Sequence, residues 1–280
     1  MLETKTHPAT AAHPARVPHL TRSSDPWDVP VLDARKGGPA ERLAGAFGGL
    51  HPALVFVVMM LAGLTAVAAL SIGCGLLVTR VVEHVWGTAA AGSTFNVWLA
   101  AHRTPSETEA SLIGSIVAGG VVLPIVAGLI AFACAVLRKW RIAAFVVFTL
   151  AVESGSYRVT TLVVHSHRPR VARLESLPVN AGYPSGHTAA AIAVYCGLAL
   201  LLTSRFTSNA VRVPAWTIAP AIVVFVALAR MYRGMHYPLD VAGGVVVGIA
   251  AVIALVFACR TAGAAAELRE NRPTRGGAGA

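Results

Sequence analysis

Long apolar runs constrain this chain more than any other feature of its sequence. Six runs are candidate membrane spans, and they cover residues 54–79, 111–137, 141–164, 187–203, 214–232 and 240–259. A helix needs about 20 mostly apolar residues to cross a hydrocarbon layer about 30 Å thick. Inside lipid, the backbone must satisfy its own hydrogen bonds, as a helix does. The runs therefore predict an all-α integral membrane protein with six transmembrane helices.

The composition supports a membrane protein and argues against a nucleic-acid-binding one. Only 13% of the residues are charged, whereas a soluble domain has about 25%. The net charge is +10, but in membrane proteins basic residues fix the topology and meet anionic head groups. No aromatic residues alternate with the basic ones to form a base-stacking surface. We therefore expect the bilayer, and no nucleic acid, as a partner.

The two ends of the chain differ from its middle. Residues 1–52 are rich in Pro, His, Ala and Gly without an apolar period, and such a composition predicts a disordered tail. Residues 53–260 hold the six spans and form one membrane domain. Residues 261–280 are expected to be a second disordered tail. The oligomeric state has no signal in the sequence.

The connector between the third and fourth runs, residues 161–188, is unusually basic. Its basic side chains are His165, His167, Arg168, Arg170, Arg173 and His187. It ends in Pro-Ser-Gly-His, at 184–187, directly before an Ala-rich helical run. A helix N-terminus offers unpaired N–H groups to an anion, and arginine offers a fork of donors that fits phosphate. A basic loop that only touches lipid head groups is the alternative, but it leaves the Pro-Ser-Gly-His turn unexplained.

A second polar segment joins the fifth and sixth runs and contains Arg230, His236 and Asp240. Pro238 suits the first turn of a helix, and Asp240 follows in that same turn. A carboxylate bound to one imidazole nitrogen would fix the tautomer and leave the other nitrogen as a nucleophile. In the alternative interpretation, Asp240 is only a charge at a helix start and His236 an interface residue.

Together these segments resemble the signature of the type 2 phosphatidic acid phosphatase superfamily, which includes membrane lipid phosphate phosphatases and soluble vanadium haloperoxidases. That signature reads Lys, six residues, Arg-Pro; then Pro-Ser-Gly-His; then Ser-Arg, five residues, His, three residues, Asp. This chain has Arg168-Pro169, Pro-Ser-Gly-His at 184–187, and Arg230-x5-His236-x3-Asp240, in the same order. Residues 161–240 carry the resemblance, and the six-span layout extends it.

The resemblance implies an active site at the ends of transmembrane helices 3 to 6. His236 would attack phosphorus and form a phosphohistidine, with Asp240 orienting it. His187 would protonate the leaving oxygen and then activate water. The phosphoryl oxygens would be bound by Arg168, Ser185, Gly186 and Arg230. No acidic cluster suited to magnesium accompanies these residues, so we expect neither a metal nor another cofactor.

The chain departs from the signature at the lysine, which is replaced by Thr161, and at a serine, which is replaced by alanine. The lost lysine removes a charge aimed at phosphate. Arg158 lies one helical turn earlier and could supply that charge, so Thr161 and Arg158 join the candidate phosphate-binding residues. Arg170 and Arg173 are further candidates. Glu153, deeper in the same run, is expected to pair with Arg158.

The expected function is hydrolysis of a phosphate or diphosphate monoester on a lipid. Candidate substrates are phosphatidic acid, phosphatidylglycerol phosphate and polyprenyl diphosphate. Two alternatives are a lipid phosphotransferase and a catalytically weak protein that binds or transports anionic lipids. Transporter sites lie near the bilayer midplane on broken helices. Here the polar residues cluster at span ends, which favours an enzyme.

The distribution of lysine and arginine predicts the orientation in a cell membrane. Fifteen of them lie in the N-terminal tail, in the loops near 138–141 and 205–212, and from Arg260 to the end of the chain, and eight lie on the opposite side. The positive-inside rule therefore predicts cytoplasmic termini and an active site that faces outward.

Overall fold

The computed structural model describes residues 29–82, 85, 87, 92–176 and 181–271, and this part of the chain forms a bundle of helices. The helices are α1 (Pro39–Ala46), α2 (Pro52–Val82), α3 (Ser93–Ala101), α4 (Pro105–Val117), α5 (Val122–Val136), α6 (Trp140–Val163), α7 (Gly186–Arg205), α8 (Asn209–Tyr232) and α9 (Pro238–Glu270). Five of them are long and apolar enough to cross a membrane, and the number is six if the bent pair α4–α5 forms one span. The predicted all-α membrane fold is confirmed.

The second predicted run, 111–137, is two helices rather than one. The axes of α4 and α5 differ by 42°, and Gly119 and Gly120 lie at the break. The hydroxyl of Tyr195 donates to the carbonyl oxygen of Val117 at 2.9 Å, which satisfies one of the acceptors freed at the end of α4. Because glycine is tolerated within membrane helices, Gly119 and Gly120 were no reason to divide this run.

Helix α9 is the central helix of the bundle and packs on α1, α2, α6 and α7. It has 33 residues, or about 50 Å at 1.5 Å per residue, and so exceeds the predicted run 240–259. A Cβ added at Gly244 would lie 2.5 Å from the carbonyl oxygen of Ser185, and one at Gly248 would lie 2.7 Å from that of Ala189. The missing side chains therefore allow the start of α7 to lie directly against α9.

Residues 29–46, which we call the N-terminal strap, correct part of the predicted disordered tail 1–52. A 3₁₀ turn at Pro30–Leu32 leads to α1, and Leu32 is buried in the main core. Arg141 donates to Asp33 Oδ1 at 2.8 Å and to the carbonyl oxygen of Leu32. Arg260 donates to the carbonyl oxygen of Val31 at 2.9 Å. The strap has too little apolar surface to fold alone, but the membrane helices supply its partners.

The predicted C-terminal tail 261–280 is corrected in the same way, because α9 continues to Glu270. Ala264 and Ala265 are buried against Ala44 of the strap and Val55 of α2. The alanines of this segment form no apolar period in the sequence, but their small side chains pack closely in the structure. Residues 1–28 and 272–280 of the predicted tails lie outside the described residues.

Candidate active site

The motif segments meet at one end of the bundle, where α6 and α8 end and α7 and α9 begin. Backbone hydrogen bonds join them. Gly182 N–H donates to the carbonyl oxygen of Ser166 at 3.0 Å, and Ser185 N–H donates to that of Asp240 at 2.9 Å. The predicted location, at the ends of transmembrane helices 3 to 6, corresponds to these four helices.

His236 is 3% exposed, and its Nδ1 lies 2.7 Å from the carbonyl oxygen of Gly182. A carbonyl oxygen can only accept a hydrogen bond, so Nδ1 carries the proton and Nε2 keeps a free lone pair. Burial, followed by the positive charges of Arg230 and Arg168, holds the pKa of His236 well below its usual range. The imidazole is therefore neutral near neutral pH.

Asp240 does not make the hydrogen bond to His236 that the sequence predicted. Its Oδ2 lies 3.9 Å from His236 Nδ1 and accepts from the backbone N–H of Tyr237 at 2.7 Å. This contact belongs to a capping box at the start of α9. The carbonyl oxygen of Gly182 takes the predicted place of the carboxylate, and Asp240 instead fixes the backbone next to His236.

Two buried arginines lie near His236. Arg230 is 0% exposed, and its Nη1 donates to Ser115 Oγ at 2.8 Å and to both carboxylate oxygens of Glu175 at 2.8 and 2.7 Å. Its Nε and Nη2 are buried and have no hydrogen-bond partner among the described residues. Arg168 is 6% exposed and donates from Nη1 to the carbonyl oxygen of Met235 at 2.6 Å. These two guanidinium groups can present N–H donors to an anion.

The residues of the Pro-Ser-Gly-His turn begin α7. Ser185 is fully buried, and its Oγ lies 3.0 Å from Thr188 Oγ1. Gly186 is the first residue of α7, and His187 follows in the first turn. The turn therefore brings the N-terminus of α7 to the same end of the bundle as His236.

Glu175 is the main site residue that sequence analysis missed. Its carboxylate contacts Arg230 and also accepts from Arg233 Nε at 2.5 Å. Burial raises the pKa of Glu175, but the charge of Arg230 and hydrogen bonds from Arg230, Arg233 and Ser115 outweigh burial and lower the pKa to about 2. The partners are 55 and 58 residues away along the chain, so no local spacing pointed to Glu175. Its negative charge within a basic connector was the only available hint.

Glu175 and His187 line a cavity of about 290 Å³ beside the arginines. The opposite wall comes from the break between α4 and α5, through Leu112, Ser115, Ile116, Gly119, Gly120, Val121 and Val122. Leu112, Ile116 and Val121 are exposed on the outer surface of the bundle. The cavity thus has one polar wall at the motif residues and one apolar wall at the lipid-facing surface of a membrane span.

The structure does not bring Arg158 to this site. Arg158 is exposed on α6, and its guanidinium makes no hydrogen bond or ion pair with a described residue. Thr161, half-buried, donates its hydroxyl proton to the carbonyl oxygen of Arg158 at 2.9 Å. Glu153 is buried and accepts from Ser154 Oγ at 2.9 Å. The predicted Glu153–Arg158 pair is therefore wrong, because the two side chains lie in different environments.

Among the described residues, no group of three or more His, Cys, Asp and Glu side chains could hold a metal ion. The positive charges of the site come from arginine. The prediction that no metal takes part stays a prediction.

The fold and the site together define a multi-pass helical membrane protein with a buried, basic, histidine-containing centre at one end of its bundle. Residues 142–263, which include all three motifs, match the family model of the PAP2 superfamily. The match supports the superfamily that the sequence resemblance indicated. The assignment supports a lipid phosphatase in general terms.

A solved structure has a similar fold. It is described as the crystal structure of the first transmembrane PAP2 type phosphatidylglycerolphosphate phosphatase from Bacillus subtilis. The TM-score is 0.57 and the sequence identity 20%, over 73% of this chain and 93% of that chain. None of the curated proteins compared with the chain gave a match.

Proposed function

We propose that this protein hydrolyses a phosphate or diphosphate monoester on a membrane lipid, through a phosphohistidine at His236 and without a metal. The observation that carries the proposal is the neutral imidazole of His236 beside Arg230, whose Nε and Nη2 have no partner among the described residues. A phosphoryl group next to His236 would provide acceptors for these buried donors.

In the first step, the lone pair on His236 Nε2 forms a bond to phosphorus, and the bond from phosphorus to the leaving oxygen breaks. His187 gives its proton to that oxygen. The proton stays on Nδ1 and remains hydrogen-bonded to the carbonyl oxygen of Gly182. This hydrogen bond stabilises the positive charge that develops on the imidazole.

In the second step, His187 takes a proton from water, and the water oxygen forms a bond to phosphorus as the N–P bond breaks. Inorganic phosphate leaves, and His187 is again protonated. A positioned acid–base group contributes about 10²–10⁴ in rate. One group that first gives and then takes the proton balances the two steps, and His187 lines the cavity where it can do so.

Phosphoryl transfer depends mainly on positioning and on stabilisation of charge. Arg168, Arg230 and the N-terminus of α7 could together contact the equatorial oxygens. Three sources of positive potential in a buried site can provide the stabilisation that a divalent cation provides elsewhere. This is our reason for proposing a metal-independent reaction.

The cavity supports a lipid as the substrate. Its polar wall holds Glu175 and His187, and its apolar wall reaches the lipid-facing surface at Val121. A molecule with a phosphorylated head and hydrocarbon tails could place its head near His187 while its tails stay in the bilayer.

The test is phosphate release by purified protein in lipid nanodiscs, from phosphatidic acid, phosphatidylglycerol phosphate and a polyprenyl diphosphate. His236→Ala should reduce turnover to background. Vanadate should inhibit the native protein, because it can adopt the five-coordinate geometry of the phosphoryl transition state at His236. His165→Ala, at an exposed histidine of the same connector that lines neither cavity, is the matched control. Full activity of His236→Ala would end the proposed mechanism. Activity that EDTA removes and magnesium restores would overturn metal independence.

A further inference from the structure

A second cavity, of about 280 Å³, lies in the connector after α6. It is lined by His167, Arg168, Pro169, Arg170 and Arg173. Four of these five side chains are basic, and no carboxylate is among them. Arginines that share one small space repel each other, and an anion between them would relieve that repulsion.

Arg168 connects this cavity to the catalytic centre. It lines the cavity, it is almost fully buried, and it donates to the carbonyl oxygen of Met235, the residue before His236. Its positive charge interacts with that of Arg230 on one side and with that of Arg173 on the other. The second cavity is therefore adjacent to the proposed phosphoryl position and is not a separate surface feature.

The catalytic step uses only part of this basic cluster. One phosphoryl group at His236 can be held by Arg168, Arg230 and the start of α7. Arg170 and Arg173 are exposed and line the second cavity, and the step proposed above does not use them. Guanidinium groups offer forked pairs of donors that match the oxygens of a second phosphate.

We propose that the cavity formed by His167, Arg168, Arg170 and Arg173 is an anion subsite for a second phosphate group within the same substrate molecule. The proposal rests on the proposed function and narrows its substrate class. It favours lipids that carry two phosphates, either joined as a diphosphate or separated by a glycerol unit, over phosphatidic acid.

The test compares matched substrates in neutral phosphatidylcholine nanodiscs. One pair is farnesyl phosphate and farnesyl diphosphate, and the other is phosphatidic acid and phosphatidylglycerol phosphate with equal acyl chains. The native protein should show kcat/KM about tenfold higher for the two-phosphate member of at least one pair, the effect of about one charge-assisted hydrogen bond. The pair that responds reveals whether the two phosphates are adjacent or spaced.

The double variant Arg170→Gln/Arg173→Gln should remove this preference. Its kcat/KM should fall about tenfold on the preferred two-phosphate substrate and stay within about twofold on the one-phosphate partner. Arg80→Gln is the matched control, because Arg80 is exposed in the last turns of α2 and does not line the cavity. An equal loss on both members of a pair would mean general attraction of anionic lipids and would overturn the subsite. So would no loss on any substrate.

A binding measurement tests the anion subsite independently of the proposed reaction. If no substrate is hydrolysed, the proposed function fails, and the subsite is then tested with a farnesyl methylenediphosphonate and a farnesyl phosphonate. Tighter binding of the diphosphonate to the native protein, lost in the double variant, would support the subsite alone. Equal binding of the two phosphonates would overturn it.

Discussion

At the scale of single residues, Glu175 is the counter-charge of two arginines. Glu175→Gln keeps the shape of the side chain but removes the negative charge that Arg230 and Arg233 share. Because buried charges without a partner are costly, we expect a lower thermal unfolding temperature and a fall in kcat/KM of about tenfold or more. Glu109→Gln, at an exposed position on α4, should change neither quantity. If Glu175→Gln unfolds at the same temperature and has the same activity as the native protein, Glu175 is not a necessary counter-charge for Arg230 and Arg233.

The stabilisation that Glu175 provides should depend on pH, and the Glu175→Gln variant can test this. The pKa of Glu175 is about 2 in the folded protein, below its usual value of 4.5. A carboxylate whose pKa is lowered by folding stabilises the fold fully at any pH above the pKa that it has in the unfolded chain. This stabilisation is lost as the pH falls through the pKa that it has in the folded protein. The difference in unfolding temperature between the native protein and Glu175→Gln should be constant above pH ~5 and shrink toward pH 3. A difference that does not shrink between pH 5 and pH 3 would show that charge is not its cause.

The catalytic candidates could be predicted because their signals are local. His187, Arg168, Arg230 and His236 stand at short fixed spacings within polar segments, and the fold brings them to one end of the bundle. The hydrogen bond from His236 to Gly182 spans 54 residues, and no pattern of side chains specifies a backbone acceptor. Sequence reasoning therefore named residues that the fold brings together, but it predicted a carboxylate where His236 contacts the carbonyl oxygen of Gly182.

At the scale of helices and connecting segments, the N-terminal strap is a testable unit. Leu32→Ala should weaken its attachment by about 2–5 kcal/mol, the usual cost of removing a buried leucine side chain, because Leu32 is 1% exposed. Hydrogen exchange over residues 29–46 should then accelerate. Leu50→Ala is the control, since Leu50 is exposed just before α2. Unchanged exchange in Leu32→Ala would mean that the backbone contacts of Arg141 and Arg260 hold the strap without this leucine.

The helices were predicted better than their interruptions and ends. Apolar runs of 20 residues or more have few alternatives to a membrane helix, so the spans were found. The break at residues 118–121 leaves the apolar run intact, and the strap is held by arginines of other helices. Both features depend on distant partners and left no periodic signal in the sequence.

At the scale of the whole molecule, the basic residues predict a topology that cysteine labelling can test. Ala172 lies in the connector near the site, and Thr207 lies in the loop at the opposite end of the bundle; both are exposed. With the four native cysteines replaced, a membrane-impermeant maleimide should label Ala172→Cys in intact cells. Thr207→Cys should be labelled only after permeabilisation. The opposite pattern would mean that the site faces the cytoplasm.

The first cavity has an exposed apolar wall at Leu112, Ile116 and Val121. If the proposed lipid substrate enters past this wall, the reaction rate depends on its concentration within the membrane. A substrate whose tails remain in the hydrocarbon layer meets the protein by diffusion in two dimensions. Its effective concentration is the number of molecules per membrane area, not per volume of solution. Diluting the substrate with inert phosphatidylcholine at constant bulk concentration should therefore lower the subsaturating rate in proportion. Adding more proteoliposomes of the same composition should leave the rate per protein unchanged.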